Sequence, residues 1–287
     1  MTSTCPSCGD QLVVGVREWH RRSPGCSYEG SVLEPRILEQ AEGGDLDESS
    51  REDALATLRR RNFDRIVGEL GAPAPGSAPL LDVGCAHGWF LERAAAEGWS
   101  VVGIEPDVAV SASTRARGLD VRPGFFPDAV GADERFGLIA FNDVLEHIPD
   151  VLAVLRACAD HLEPGGRVLV NAPSRRGFLY RVASALARLG ATGPFDRMWQ
   201  EGFPSPHVHY FDTASVRSIA SAAGFTVERT HRLPSVAVRG MYRRIRYAGD
   251  VGVLKAAALT VVVTAAVPLL RVLPSDIDVW VLRRTDA

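Results

Sequence analysis

The chain has 287 residues, enough for one large α/β domain plus an appendage. Hydrophobic residues make up 46%, which supports a packed core and excludes a disordered or fibrous chain. A net charge of −3 excludes the polycation profile of a nonspecific nucleic-acid binder, so no nucleic-acid partner is expected.

The first residues, Met1-Thr2-Ser3-Thr4-Cys5-Pro6, carry neither a basic n-region nor an apolar run, so no signal peptide is expected. Five cysteines suit a reducing cytoplasm better than a disulfide framework. Cys5-Pro6-Ser7-Cys8-Gly9 has the form of a metal knuckle: two thiolates three residues apart, on a turn that glycine closes. A zinc ion needs two more ligands, and His20 and Cys26 are the candidates. Trp19 to Cys26 reads as a second knuckle whose first cysteine has become Ser23, a poor zinc ligand. Two readings therefore stand. Cys5, Cys8, His20 and Cys26 hold one structural zinc, or the segment is a decayed ribbon without metal. Residues 1–35 are expected to form this zinc-ribbon-like appendage.

Residues 36–78 read as linker and lead-in. Glu39 to Asp53 is acidic and contains Gly43-Gly44, as in a loop. Leu55, Leu58, Ile66, Val67 and Leu70 then recur at helical spacing. Arg59-Arg60-Arg61 fits a solvated helix face or an anion site, with the former preferred. A Pro-, Gly- and Ala-rich stretch to Pro79 ends that helix.

From 79 onward, apolar runs alternate with amphipathic ones, the pattern of a doubly wound, mostly parallel sheet. Leu80 to Leu91 reads as strand, tight turn and helix start. Gly84 and Gly88 allow close approach of a ligand to the backbone, and the helix N-terminus offers free N–H groups. A dinucleotide turn requires G-x-G-x-x-G; here Ala86 and Trp89 occupy the second and third positions. Asp82 would also repel a pyrophosphate but suits a cationic ligand. Trp99 to Ile104 is a second strand, and Glu105 follows the turn at about the twenty-residue offset where an acid can accept ribose hydroxyls. Phe136 to Asn142 and Arg167 to Asn171 are further strands. Asp82, Glu105, Asn142 and Asn171 thus all fall near strand carboxyl ends, the ligand side of such sheets.

Asp82-x-Gly84-x-x-x-Gly88-x-Phe90 closely resembles the first motif of class I S-adenosylmethionine-dependent methyltransferases. Asn142-Asp143-Val144-Leu145-Glu146-His147-Ile148 resembles their fourth-strand motif, and Leu162-Glu163-Pro164-Gly165-Gly166 their approach to the fifth strand. The resemblance covers about 79–287 and implies a Rossmann-like α/β fold with seven strands, the last two antiparallel. It implies S-adenosylmethionine over Gly84, Cys85, Ala86 and Gly88, with Asp82 at the strand end, Glu105 on the ribose and Asn142 near the methionine end. The family commonly has an adenine-binding acid one residue after Gly124. Phe125 stands there, and apolar contact with adenine is the expected substitute. His147 either holds a loop or touches the methionine part or the acceptor.

The reaction so implied is methyl transfer to a small-molecule, glycan or lipid-linked acceptor, at oxygen. An NAD-dependent oxidoreductase, or a noncatalytic S-adenosylmethionine-binding module at a membrane, are the alternatives. A hydroxyl acceptor needs a base. His207 and His209, flanked by aromatics and preceded by Pro204 and Pro206, are the candidates; the alternative is that they pack the sheet edge. An insert at about 239–273 is unusual. Its basic-aromatic start, Arg239 to Tyr247, leads into the apolar stretch Ala256 to Leu270. That stretch is shorter than the ~20 residues of a spanning helix. It suits a segment lying in the membrane interface, which would make the protein peripheral at the inner face of the cell membrane. A soluble cap and a true span are the other readings.

Overall fold

The computed structural model describes residues 4–36, 48–235, 252–270 and 272–285, together with Tyr242 and Ile245. Most of the basic-aromatic run at 239–247 therefore lies outside the described residues.

Seven strands form the main sheet. In chain order they are β4 (Leu80–Val83), β5 (Val101–Glu105), β6 (Val121–Pro123), β7 (Phe136–Asn142), β8 (Leu162–Pro173), β10 (Phe225–Leu233) and β11 (Ile277–Arg284). Across the sheet the order is β10-β11-β8-β7-β4-β5-β6. The pairs from β8 to β6 are parallel, while β11 runs antiparallel to both β8 and β10. All four residues of β4 are buried, as expected of a central strand covered on both faces. The doubly wound sheet with an antiparallel closing pair matches the expected fold.

The helices are α1 (Glu48–Leu70), α2 (Trp89–Ala96), α3 (Val108–Ala116), α4 (Val151–His161), α5 (Phe178–Arg188), α6 (Gly193–Met198), α7 (Thr213–Ala222) and α8 (Val253–Leu270). Aspartates start three of them. Asp107 accepts from the N–H groups of Ala109 and Val110, Asp150 from that of Ala153, and Asp212 from that of Ser215 in a capping box. These caps fix where each helix leaves the carboxyl side of the sheet, and so fix the ligand side.

One expected turn is absorbed into a strand. Glu163 to Gly166 bulges from β8, so that Phe136 pairs with Leu162 but Leu138 pairs with Arg167. Gly165, at φ 74, makes that excursion possible.

The N-terminal segment builds a second, small sheet. β1 (Val13–Val14), β2 (His20–Arg22) and β3 (Glu29–Ser31) form an antiparallel meander. Its open edge is taken by β9 (His209–Tyr210), which belongs to the loop between α6 and α7. The segment thus docks on the main domain through a shared sheet. No helix among the described residues is long and apolar enough to cross a membrane. Along α8, Leu254, Val261 and Val262 are exposed apolar side chains.

Candidate active site

The turn after β4 is strained open by design of its residues. Gly84, Ala86 and Gly88 have φ of 69°, 44° and 70°. A Cβ on Gly84 would lie 2.7 Å from Val144, and one on Gly88 2.7 Å from Thr114. Ala86 therefore holds a left-handed conformation that a glycine would adopt more easily. Trp89, where a dinucleotide turn wants its third glycine, is buried and begins α2.

Asp82, Gly84, Cys85, Ala86, His87, Trp89 and Asn142 line one cleft, together with Arg59 and Phe63 from α1. Asp82 is 2% exposed and accepts one hydrogen bond, from Asn142 Nδ2 at 2.9 Å. Burial, with help from the Glu105 charge, pushes its pKa to about 7. A buried carboxylate left with so few donors is a receptor for positive charge. Glu105 is held rigidly: Oε2 accepts from Ala86 N–H and Oε1 from Asp107 N–H, both at 2.9 Å. Asn171 on β8 points its Nδ2 at Asn142 Oδ1, 3.5 Å away. Its own Oδ1 is buried without a hydrogen bond. Residues from four neighbouring strands thus converge, as the sequence predicts. Cys85 reaches the cleft mainly through its backbone, because its thiol packs over Gly103. Phe125 is a half-exposed ring on the turn after β6.

The wall of α1 is not legible in the sequence. Arg59 reaches across to Asp143, with Nη2 3.3 Å from Oδ2, and Arg60 lies over the Trp89 ring at 5.2 Å. These two arginines therefore do more than form a solvated face.

Beyond the cleft lies a second cluster, centred on the 3-10 turn Leu145–His147. Glu146, His147 and His207 each place one ligating atom within 4.8 Å of the others. Glu146 is 1% exposed, and neither carboxylate oxygen has a hydrogen-bond partner. Burial, then the nearby Asp143 charge, pushes its pKa well above the usual carboxylate range. His147 Nδ1 lies 2.9 Å from the Pro206 carbonyl and 3.1 Å from Ser205 Oγ. Donation to that carbonyl puts the ring's lone pair on Nε2, which lies 3.9 Å from Glu146 Oε1. His207 Nε2 accepts from the Gln200 amide at 2.9 Å, and its buried Nδ1 makes no hydrogen bond of ordinary geometry.

Two sequence expectations need correction here. His209 cannot serve as a base. Its Nδ1 is 2.5 Å from the Tyr28 hydroxyl, and its Nε2 is 2.9 Å from the Ile148 carbonyl. Burial drives its pKa down to about 4. It is a neutral strut between the ribbon and the 3-10 turn. His20 is likewise not a partner of the cysteines. Its Nδ1 accepts from Val16 N–H at 3.1 Å, which leaves the proton on Nε2, facing Glu29 Oε2 at 3.4 Å. The ring is buried against Phe195 and Trp199. Cys5, Cys8 and Cys26 do come together, with each sulfur within 4.8 Å of the other two.

Glu29 is another feature the sequence hides. Burial alone would raise its pKa, but His20, the Arg175 guanidinium at 2.9 Å and the Tyr180 hydroxyl outweigh that and hold it at about 2. It ties β3 to the start of α5.

A family model described as a methyltransferase domain matches residues 55–230, more than half of the chain. A ubiquinone biosynthesis O-methyltransferase of Cereibacter sphaeroides is 35% identical over 132 residues, which cover 44% of this chain and 52% of the relative. The chain spans about half the length of the curated relatives it matches. Among solved structures, a cyclopropane synthase of Mycobacterium tuberculosis gives a TM-score of 0.54 at 19% identity, over 88% of this chain and 90% of that one. The magnesium protoporphyrin IX methyltransferase of Synechocystis, solved with bound SAH, gives 0.51 at 13% identity, over 87% and 93%. The structural likenesses speak to the fold alone, while the family match covers the glycine turn and its acids. Taken with that turn, it makes this chain a member of the class I S-adenosylmethionine-dependent methyltransferases.

Proposed function

We propose that the protein transfers a methyl group from S-adenosylmethionine to an oxygen of a small, lipid-linked acceptor. The observation that carries the reading is the pairing of two adjacent sites. A buried carboxylate at a glycine turn offers a seat for the donor, and a Glu146–His147–His207 cluster, with Glu146 and His207 buried, sits just past the end of the neighbouring strand β7.

S-adenosylmethionine, when bound, supplies a methyl group on a sulfonium, which an oxygen nucleophile can displace. The residues present fit it. Asp82 offers buried negative charge to a cationic ligand, Gly84 and Gly88 leave room where a Cβ would clash, and Glu105 presents oriented carboxylate oxygens to ribose hydroxyls. Asn142, which bridges Asp82 and Asn171, would lie by the methionine end of the bound donor. Proximity provides most of the acceleration in such a displacement. His147, with its lone pair on Nε2 and the buried Glu146 carboxyl 3.9 Å from that atom, takes the acceptor's proton. His207 orients this cluster through Gln200. Oxygen as the acceptor atom is supported by the names of the curated relatives. A lipid tail on the acceptor is supported by the exposed apolar side chains of α8, which suit a membrane surface.

Calorimetry tests the donor half. S-adenosylmethionine and its demethylated product should bind, NAD should not, and Asp82→Ala should abolish binding; NAD uptake without a response to S-adenosylmethionine would overturn the assignment. Methylation of a lipid extract with labelled donor tests the other half, with label in water-soluble products alone ruling out the lipid-linked acceptor. Full activity of the zinc-replete protein without any added divalent ion is expected of a proton-accepting histidine; strict dependence on an added divalent ion would assign the Glu146 cluster to a metal instead.

A further inference from the structure

The N-terminal segment contains the same short motif twice. Cys5-Pro6-Ser7-Cys8 and Ser23-Pro24-Gly25-Cys26 share proline and cysteine at matching places. Their backbones repeat as well. Cys5 N–H donates to the Asp10 carbonyl at 2.8 Å, and Ser23 N–H to the Tyr28 carbonyl at 3.1 Å, each five residues on. Ser7 N–H points at Cys5 Sγ, 3.4 Å away, and Gly25 N–H at Ser23 Oγ, 3.3 Å away. The second knuckle is therefore intact, with an oxygen where the first has sulfur. Ser23 Oγ lies 3.1 Å from Cys8 Sγ, and Cys5 Sγ lies 3.6 Å from Cys26 Sγ. Four heteroatoms from two knuckles thus face one another. Three soft thiolates in this arrangement select zinc among common divalent ions.

The far side of this cluster leads to the proposed active site. Tyr28, two residues past Cys26, touches His209, which in turn touches the Ile148 carbonyl. β3 continues the path: Ser31 N–H donates to the Val208 carbonyl at 3.0 Å, and Val208 N–H donates to the Glu146 carbonyl at 2.8 Å. Ser31 Oγ donates to the His207 carbonyl at 2.8 Å. So short a segment has little core of its own, and a bound metal supplies folding free energy that it otherwise lacks.

We propose that Cys5, Cys8 and Cys26 bind one zinc ion with Ser23 Oγ at the fourth corner, and that this ion braces the wall carrying Glu146, His147 and His207. The metal site stands on the knuckle geometry; only its bearing on catalysis rests on the methyltransferase reading. Each thiol loses its proton to solvent on binding, and no redox change is involved. Ser23 and Cys26 are positioning residues, remote from donor and acceptor.

The test uses the full chain, purified from zinc-replete medium. Elemental analysis should find one zinc per chain, and cobalt exchanged into the site should show the visible bands of a tetrahedral thiolate complex. Cys26→Ala should lose the metal. Should that variant fail to fold, Ser23→Ala and Ser23→Cys decide. The first should weaken zinc by about tenfold, and the second should tighten it against a competing chelator. Stripping zinc should raise amide exchange at 28–31 and 207–211 and lower the melting temperature, while donor affinity by calorimetry stays within about twofold. A zinc-free protein with a Cys5–Cys26 disulfide would overturn the site. Ser23→Cys with unchanged affinity would overturn the fourth corner. Unchanged exchange at 207–211 would overturn the brace. Loss of donor binding by zinc-loaded protein would strike the methyltransferase reading and leave the metal site standing.

Discussion

The proposed donor side and the proposed acceptor side of this molecule are built by different rules. On the donor side, the critical residues sit on one strand-turn-helix unit and the strands beside it, and sequence neighbours do the positioning. On the acceptor side, the turn at Leu145–His147 and the loop at 205–211 are held by the N-terminal ribbon. Tyr28 meets His209 across 181 positions of sequence, and Ser31 meets His207 across 176. The first side is local and therefore general. The second is assembled from distant pieces, and so can vary without disturbing the sheet.

The largest effect that separates the two should come from Gly84→Val. Its side chain would be forced into φ 69° with the Cβ 2.7 Å from Val144. Strain and overpacking should together cost about 2–4 kcal/mol in a urea melt, and donor binding should disappear. Tyr28→Phe is the counterpart on the other side. It leaves His209 Nδ1 buried without its partner, which should cost about 1–3 kcal/mol and lower turnover, with the donor Kd unchanged. Equal losses of donor affinity and turnover in this variant would erase the distinction between the sides.

Acid should act on the two sides in opposite directions. The folded-state pKa of Asp82, about 7, lies above its ordinary 3.8, so the folded protein binds the extra proton between those values. Its contribution to stability is fully present below about pH 4 and fades as pH rises to about 7. Over the same rise the carboxylate forms, so donor affinity should climb up to about tenfold per unit below pH 7 and then level. Asp82→Asn should flatten both trends. His209 has the reverse sign. Its folded pKa of about 4 lies below 6.5, so its contribution is present above pH 6.5 and is lost as pH falls toward 4. His209→Gln should blunt that acid loss, measured as the melting temperature against pH.

The smallest effect concerns α8. Leu254 is 87% exposed, so Leu254→Gln should change stability by no more than about 0.5 kcal/mol. If the helix meets a lipid surface, the same change should weaken binding to vesicles. Unchanged vesicle binding would remove α8 from the acceptor side altogether.

Legibility in the sequence follows the same division. β4, the turn at Gly84 and Gly88, the acids at 82 and 105, and the end of β7 at Asn142 are all visible, because hydrophobic runs and turn residues act over a few positions. The closing antiparallel pair is visible through a resemblance rather than through periodicity. Arg59 at the cleft, by contrast, depends on how α1 crosses the sheet, and a run of three arginines looks the same on any exposed face. His207 and His209 differ by two positions and look equivalent on paper. Only the fold shows that one lies beside Glu146 and His147 while the other is clamped between Tyr28 and Ile148. His20 misleads for a related reason: metal-ligand spacing says nothing about which way a ring points, and the Val16 amide and Glu29 have claimed both nitrogens.

The pairing of β3 with β9 has a consequence for inheritance. The stretch shared with other methyltransferase domains, 55–230, carries β9 but not the strand that completes its little sheet. Transplanting that shared stretch alone would leave out β11, which pairs with β8 in the main sheet, and half of the proposed acceptor wall. The first 36 residues should therefore travel with the whole main domain in any chimera, and, on the proposed reading, changes among them offer a route by which the choice of acceptor drifts while the main sheet stays the same.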